Sequence, residues 1–208
     1  AGVIADYRHA AQTAKNAGFD GVEIHGANGY LLEQFMRDST NRRSDAYGGS
    51  IENRIRLTLA AVDAASEVFG RDRVGIRLSP VSLANNCPQD SNPQAVYGAV
   101  VEALAERKIA FIHFIEGNTQ AERKLDGFDF AGARKRFGGA YIANNGYTRE
   151  MALAAVENGA VDAVAFGRMF LANPDLPRRL ALNAPLNSLN SKTLYKQGTE
   201  GYTDYPAL

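Results

Sequence analysis

Apolar and polar positions alternate over Val22-Glu23-Ile24-His25, the period-two pattern of a short half-buried strand. Before it, Ile4, Tyr7, Ala11 and Ala14 form a helical stripe that leads straight to this strand. After it the pattern changes period repeatedly. Strand-like segments recur at roughly 73–79, 110–115, 140–144 and 162–166, after the first at 21–25. Between them lie helical stretches. Ile51 to Phe69 carries Ile55, Leu59, Val62 and Ser66 at helical spacing, with Ser50 placed as its N-cap. Gln94 to Arg107 places Val96, Val100 and Leu104 on one side. A third helix spans Thr148 to Asn158, and a short turn lies near Met169. Strands that alternate with helices argue for βα units and a parallel sheet, whose ligands bind at the carboxyl ends of the strands.

Composition adds only exclusions. The 208 residues are 45% hydrophobic and 22% charged with no net charge, so no basic footprint for nucleic acid or an anionic membrane surface exists. Length and even composition read as one domain over residues 1–208. Cys87 is the one cysteine, so no disulfide forms within the chain, and a reducing cytoplasm is the expected setting. Cys87 has no local His or Lys to activate it. No apolar run reaches the roughly 20 residues of a membrane span, and no signal peptide is visible.

Candidate chemistry gathers after the first strand. His25 stands at its carboxyl end, opposite the apolar pair, with Asn28 and Tyr30 close behind. A neutral imidazole and a carboxamide can both donate hydrogen bonds to one carbonyl oxygen and stabilise negative charge developing there. A phenol has a reference pKa of about 10, so such a side chain carries its proton at neutral pH and can act as a general acid. The set suits reduction of an activated C=C bond, with hydride from a cofactor. A structural reading stands beside it: a lone histidine at a strand end often only packs, Asn and Gly are ordinary turn residues, and Tyr30 can open the next helix.

Further candidates follow along the chain. Arg77 shares the interior face with Gly75 and Ser79, which calls for a partner carboxylate or an anionic ligand edge. The Arg residues of the Asp38–Gly49 loop read as a hydrogen-bonded loop clamp, and residues 81–93 as a long loop shaping a pocket. His113 reads as a satisfied core histidine, while Glu116 has no role that spacing assigns. The histidines share no metal-ligand spacing. Strand-to-helix turns at Asn145-Gly146 and Gly167-Arg168 offer backbone N–H groups and an arginine to an anion. There is no GxGxxG motif and no P-loop.

His25-Gly-Ala-Asn28-Gly-Tyr30-Leu-Leu-Glu-Gln-Phe35, followed by Asn41-Arg-Arg-Ser-Asp-Ala-Tyr47-Gly-Gly-Ser-Ile-Glu-Asn-Arg54, resembles the old yellow enzyme family, in particular its bacterial N-ethylmaleimide reductase type. The resemblance implies an FMN-dependent ene-reductase on a (β/α)8 barrel, reduced by NADH or NADPH. It implies that His25 and Asn28 hold the substrate carbonyl and Tyr30 protonates the carbon alpha to it. It places the flavin against Arg77, and its phosphate on Asn145, Gly146, Gly167 and Arg168. Tyr195 is expected near the cofactor, although Leu194 stands where the family often carries Phe.

A (β/α)8 barrel needs about 250 residues. The chain therefore reads as the last five βα units of such an α/β barrel, without its first three strands and truncated at the N-terminus. The closing Glu-Gly-Tyr-Thr-Asp-Tyr-Pro resembles the family's own C-terminus. The expected ligand is a small enone-type molecule, and the expected protein partner is an N-terminal portion or another copy. Two other readings stay open: a non-enzymatic fragment that needs its missing half, and a phosphate-binding barrel isomerase or aldolase. The last lacks the strand-end Lys it would need.

Overall fold

Five strands form where the pattern places them: β1 (Val22–Gly26), β2 (Val74–Leu78), β3 (Phe111–Ile115), β4 (Ala140–Asn144) and β5 (Ala163–Ala165). The computed structural model describes residues 2–119 and 123–208. The strands pair in parallel, in the order β1-β2-β3-β4-β5. Parallel neighbours need long crossovers, and each one here contains helix. The helices are α1 (Gly2–Asn16), α2 (Leu31–Met36), α3 (Ile51–Phe69), α4 (Pro93–Arg107), α5 (Phe130–Phe137), α6 (Arg149–Glu157), α7 (Arg168–Ala172) and α8 (Leu176–Leu182).

Local chemistry sets the helix ends. The Ser50 side chain accepts from the Asn53 amide to start α3, and Gly70 at φ 85° ends it. At α4 the Asn92 side chain accepts from Ala95 N–H, with Pro93 in the first turn, where a missing N–H costs nothing. The sequence pattern gave no indication of α5 or α8. Asp129 caps α5 and Gly138 terminates it, but its eight residues include only three buried ones, Phe130, Ala133 and Phe137.

One face of the sheet carries the core. Ile24, Val74, Ile76, Leu78, Ile112, Phe114, Tyr141 and Ala143 are buried against helix residues such as Val62, Val96, Val100, Leu104 and Ala133. Each fully buried aliphatic side chain contributes about 1.5–3 kcal/mol. The Phe114 ring packs on Phe128, Phe130 and Tyr141 at centroid distances of 5.4, 5.5 and 5.6 Å. The other face is polar. Strand register sets His25 beside Arg77 and Arg77 beside His113, so three adjacent strands present one polar row.

The sheet does not close on itself among the described residues: β1 and β5 each have a single neighbour. Near the β5 side, α6 buries no residue and leaves Met151, Leu153 and Val156 exposed. From Asn183 onward the chain is irregular apart from a short turn at Ser191–Thr193, as its lack of periodicity indicates. It folds back on α8, where Arg179 donates to the carbonyls of Pro185 and Pro206. No described helix is long and apolar enough to cross a membrane.

Candidate active site

The carboxyl end of β1 turns sharply. Asn28 lies in the left-handed region at φ 57° and Gly29 follows at φ 73°. The Tyr30 amide donates to the Ala27 carbonyl at 3.3 Å, closing the turn. This reversal brings the Tyr30 phenol back to within 5.4 Å of the His25 ring, centroid to centroid. Asn28 adopts the left-handed geometry this turn requires, which Asn tolerates better than most residues. Among the described residues, the His25 imidazole, the Asn28 carboxamide and the Tyr30 hydroxyl make no hydrogen bond of their own. Tyr30 is 54% exposed. Three polar groups are thus held together and left available.

Burial lowers the pKa of His25, and the Arg77 charge lowers it further, against a weaker opposing pull from Glu23. The imidazole is therefore neutral at pH 7. The sign of the linked pH effect follows: the unfolded chain, with an ordinary histidine near 6.5, binds this proton more readily than the folded one. Stability should fall as pH drops through about 6.5 toward the lower folded value. Urea midpoints between pH 7.5 and 5 should show this decline, and His25→Asn should reduce it. An unchanged pH dependence in that variant would refute the assignment.

The turn rests on a buried polar network that sequence reading did not find. Ser79 Oγ accepts the Asn28 N–H at 2.8 Å and donates to Glu33 Oε1 at 2.6 Å. Glu33 Oε2 accepts the Gly29 N–H at 2.5 Å, and Tyr97 Oη donates to Oε1 at 2.6 Å. Arg37 Nη2 lies 3.0 Å from the same carboxylate and donates to the Ser79 carbonyl. Its remaining donors reach Tyr97 Oη and the carbonyls of Cys87 and Pro88. Glu33, Arg37, Ser79 and Tyr97 are all fully buried. The expected loop clamp therefore falls to Arg37, and to Arg54, which pairs with buried Asp90 at 2.5 Å. Arg43 in the loop pairs with Asp45 and lies over the Phe35 ring at 5.5 Å.

Arg77, half-buried, makes no salt bridge to a carboxylate among the described residues. Its Nη2 donates to Asn144 Oδ1 at 2.8 Å, while its buried Nε has no partner among the described residues. His113 is only half satisfied, which corrects the expectation: Nδ1 meets Glu23 Oε2 at 2.8 Å, but buried Nε2 has no described partner. Glu116 takes hydrogen bonds from Tyr141 and Tyr147 at 2.7 Å each and pairs with Arg123. Burial and that carboxylate push both phenols' pKa values up.

At the turn after β4, Asn145 (φ 94°) donates its side-chain amide to the carbonyls of Glu116 and Asn118. Its side chain is thus committed to the loop, and the turn offers only backbone, with Gly146 at φ 69°. Gly167 and Arg168 are exposed at the start of α7. Tyr195 is 95% exposed, so its ring packs on none of the other candidates. The described residues hold no group of three potential metal ligands.

A model for the NADH:flavin oxidoreductase / NADH oxidase family matches residues 1–187. The chain belongs to the old yellow enzyme family. It is 48% identical over 210 residues to 12-oxophytodienoate reductase 2 of Arabidopsis thaliana, covering 100% of this chain and 56% of the relative. The old yellow enzyme homologue of Zymomonas mobilis superposes with a TM-score of 0.92 at 43% identity, covering 99% of this chain and 58% of that one. A morphinone reductase in complex with tetrahydroNAD gives 0.90 at 46% identity, covering 100% and 55%. The chain thus spans a little over half the length of these relatives, and its open sheet is part of an old yellow enzyme (β/α)8 barrel.

Proposed function

We propose that this chain provides the substrate-binding and proton-donating part of an FMN-dependent ene-reductase. The reaction is reduction of the C=C bond of α,β-unsaturated carbonyl compounds, such as enones and maleimides, and of nitro compounds. NADH or NADPH is the electron source, a reading supported by the related morphinone reductase solved with tetrahydroNAD. The observation that carries the proposal is the trio of uncommitted groups, His25, Asn28 and Tyr30, at the carboxyl end of β1.

The residues fit a flavin. The Arg77 guanidinium, half-buried with an unpartnered Nε, suits a polar ring edge that gains negative charge. The turns at Asn145-Gly146 and Gly167-Arg168 would hold the phosphate, through backbone N–H groups and the Arg168 side chain. When bound, the flavin supplies the hydride, since no side chain can. The protein's own part is electrostatic and acid–base. His25, neutral, donates one hydrogen bond to the substrate carbonyl and the Asn28 carboxamide a second. Together they favour the charge that develops on that oxygen. Tyr30, beside the imidazole, gives its proton to the carbon alpha to the carbonyl.

Tyr30→Phe tests this in the complete, flavin-loaded barrel. Flavin reoxidation by an enone should slow by about 10²–10⁴, the range of a positioned general acid. Reduction by NAD(P)H, which delivers no proton to carbon, should be nearly unchanged. Equal slowing of both half-reactions would mean a packing defect instead. The barrel isomerase or aldolase reading is weaker. The one carboxylate at a strand end, Glu116, is already engaged by two tyrosines and an arginine.

A further inference from the structure

Helices usually begin on Ser, Thr, Asp or Asn, whose side chains satisfy a free amide of the first turn. At the start of α2 that position is occupied by Tyr30, which makes no side-chain cap hydrogen bond. The turn before it carries a non-glycine residue, Asn28, in left-handed geometry, followed by Gly29. The amides of Asn28 and Gly29 are held by side chains from elsewhere. Glu33 holds them from within the helix, taking Gly29 N–H directly and Asn28 N–H through the Ser79 hydroxyl.

We infer that Glu33, Ser79 and Tyr97 are positioning residues for Asn28: a fully buried carboxylate, relayed by one hydroxyl and anchored by another, fixes the turn on which the carbonyl-binding carboxamide stands. The inference rests on the reading of Asn28 as a carbonyl donor. Its chemistry is directional. Three donors bond the Glu33 carboxylate, the Gly29 amide and the Ser79 and Tyr97 hydroxyls, and the Arg37 guanidinium lies beside it as an ion pair. Donors on both oxygens and an adjacent cation suit a carboxylate, which only accepts. A glutamine would set an NH2 against one of these donors. Ser79 works as a relay because its hydroxyl both accepts from Asn28 and donates to Glu33, and linked bonds of this kind polarise one another. Arg37 carries the same unit across to the loop after β2 by holding the carbonyls of Cys87 and Pro88.

A double-mutant cycle on the complete, flavin-loaded barrel decides the matter, with the dissociation constant of a simple phenol, measured by calorimetry, as the readout. Phenols mimic the carbonyl oxygen without turning over. Ser79→Ala should weaken phenol binding about tenfold, the scale of one lost buried hydrogen bond. In an Asn28→Ala background the same change should have no further effect, because its route of action is already gone. Ser79→Thr, which keeps the hydroxyl, should restore affinity. Equal weakening in both backgrounds, or none in the parent, would overturn the inference. If Asn28→Ala alone leaves phenol affinity intact, the carbonyl-donor reading itself falls, and the inference with it. Should Ser79→Ala not fold, Tyr97→Phe goes through the same cycle. It removes a donor from Glu33 while leaving the Ser79–Asn28 bond in place, and it must show the same dependence on Asn28.

Discussion

In the complete, flavin-loaded barrel, replacing His25 and Asn28 together by alanine should cut enone turnover by about 10²–10³, the cost of removing preorganised donors from a developing oxyanion. The size of the effect follows from the geometry. The imidazole is kept neutral by burial and by Arg77, so it donates without bringing a mobile charge. The carboxamide is held by a turn whose two amides are both tied to buried groups. Neither donor must reorganise when charge appears. Phenol binding should weaken in parallel, because a phenol oxygen uses the same two donors. Stopped-flow measurement of flavin reoxidation and calorimetry of phenol binding check both effects. Unchanged turnover in the double variant would remove the carbonyl clamp from the account.

The second large effect concerns the open sheet. The 208-residue chain alone should bind FMN weakly, reduce enones little and self-associate. A polypeptide supplying the rest of the relatives' barrel should restore flavin binding and activity together. Strands β1 and β5 each have one free edge among the described residues, and unpaired strand edges recruit other strands. Exposed Met151, Leu153 and Val156 on α6 add apolar surface at the same side. The unpartnered Arg77 Nε also faces the polar side that a closed barrel would cover. A flavin titration with light scattering, run with and without the added portion, tests this. A monodisperse monomer that binds FMN stoichiometrically and turns over enones on its own would refute it.

Local signals were legible in the sequence and long-range ones were not. The five strands, α3 and its Ser50 cap, and α4 all follow from periodicity and end chemistry within a short window. The His25, Asn28 and Tyr30 cluster was legible because all three lie on one turn. Helix α5 was missed because a stretch as short as Phe130–Phe137, three of whose residues are basic, has too weak an apolar stripe. The Glu33 network was invisible for a different reason. Glu33 and Arg37 stand only four apart, but the partners that complete the buried unit, Ser79 after β2 and Tyr97 on α4, lie more than 40 residues away. His113 has the same character: its partner Glu23 lies two strands away in the sheet. Asn145 was expected to face a phosphate, but its side chain secures the neighbouring loop, a role set by carbonyls of residues 116 and 118.

The setting of Cys87 bears on how the proposed ene-reductase would withstand electrophilic substrates. Enones and maleimides are electrophiles that alkylate thiolates, and this chain's one cysteine sits in the loop next to the proposed site. A side chain at Gly29 would collide with it. Yet Cys87 is 3% exposed, and burial raises its thiol pKa, outweighing the pull of nearby Arg37. Arg37 donates to the Cys87 backbone carbonyl and fixes the loop that carries it. The thiolate is thus both disfavoured and out of reach of such electrophiles. Intact mass after incubation of the flavin-loaded protein with N-ethylmaleimide should show no adduct at Cys87, whereas Arg37→Met should make the site alkylatable.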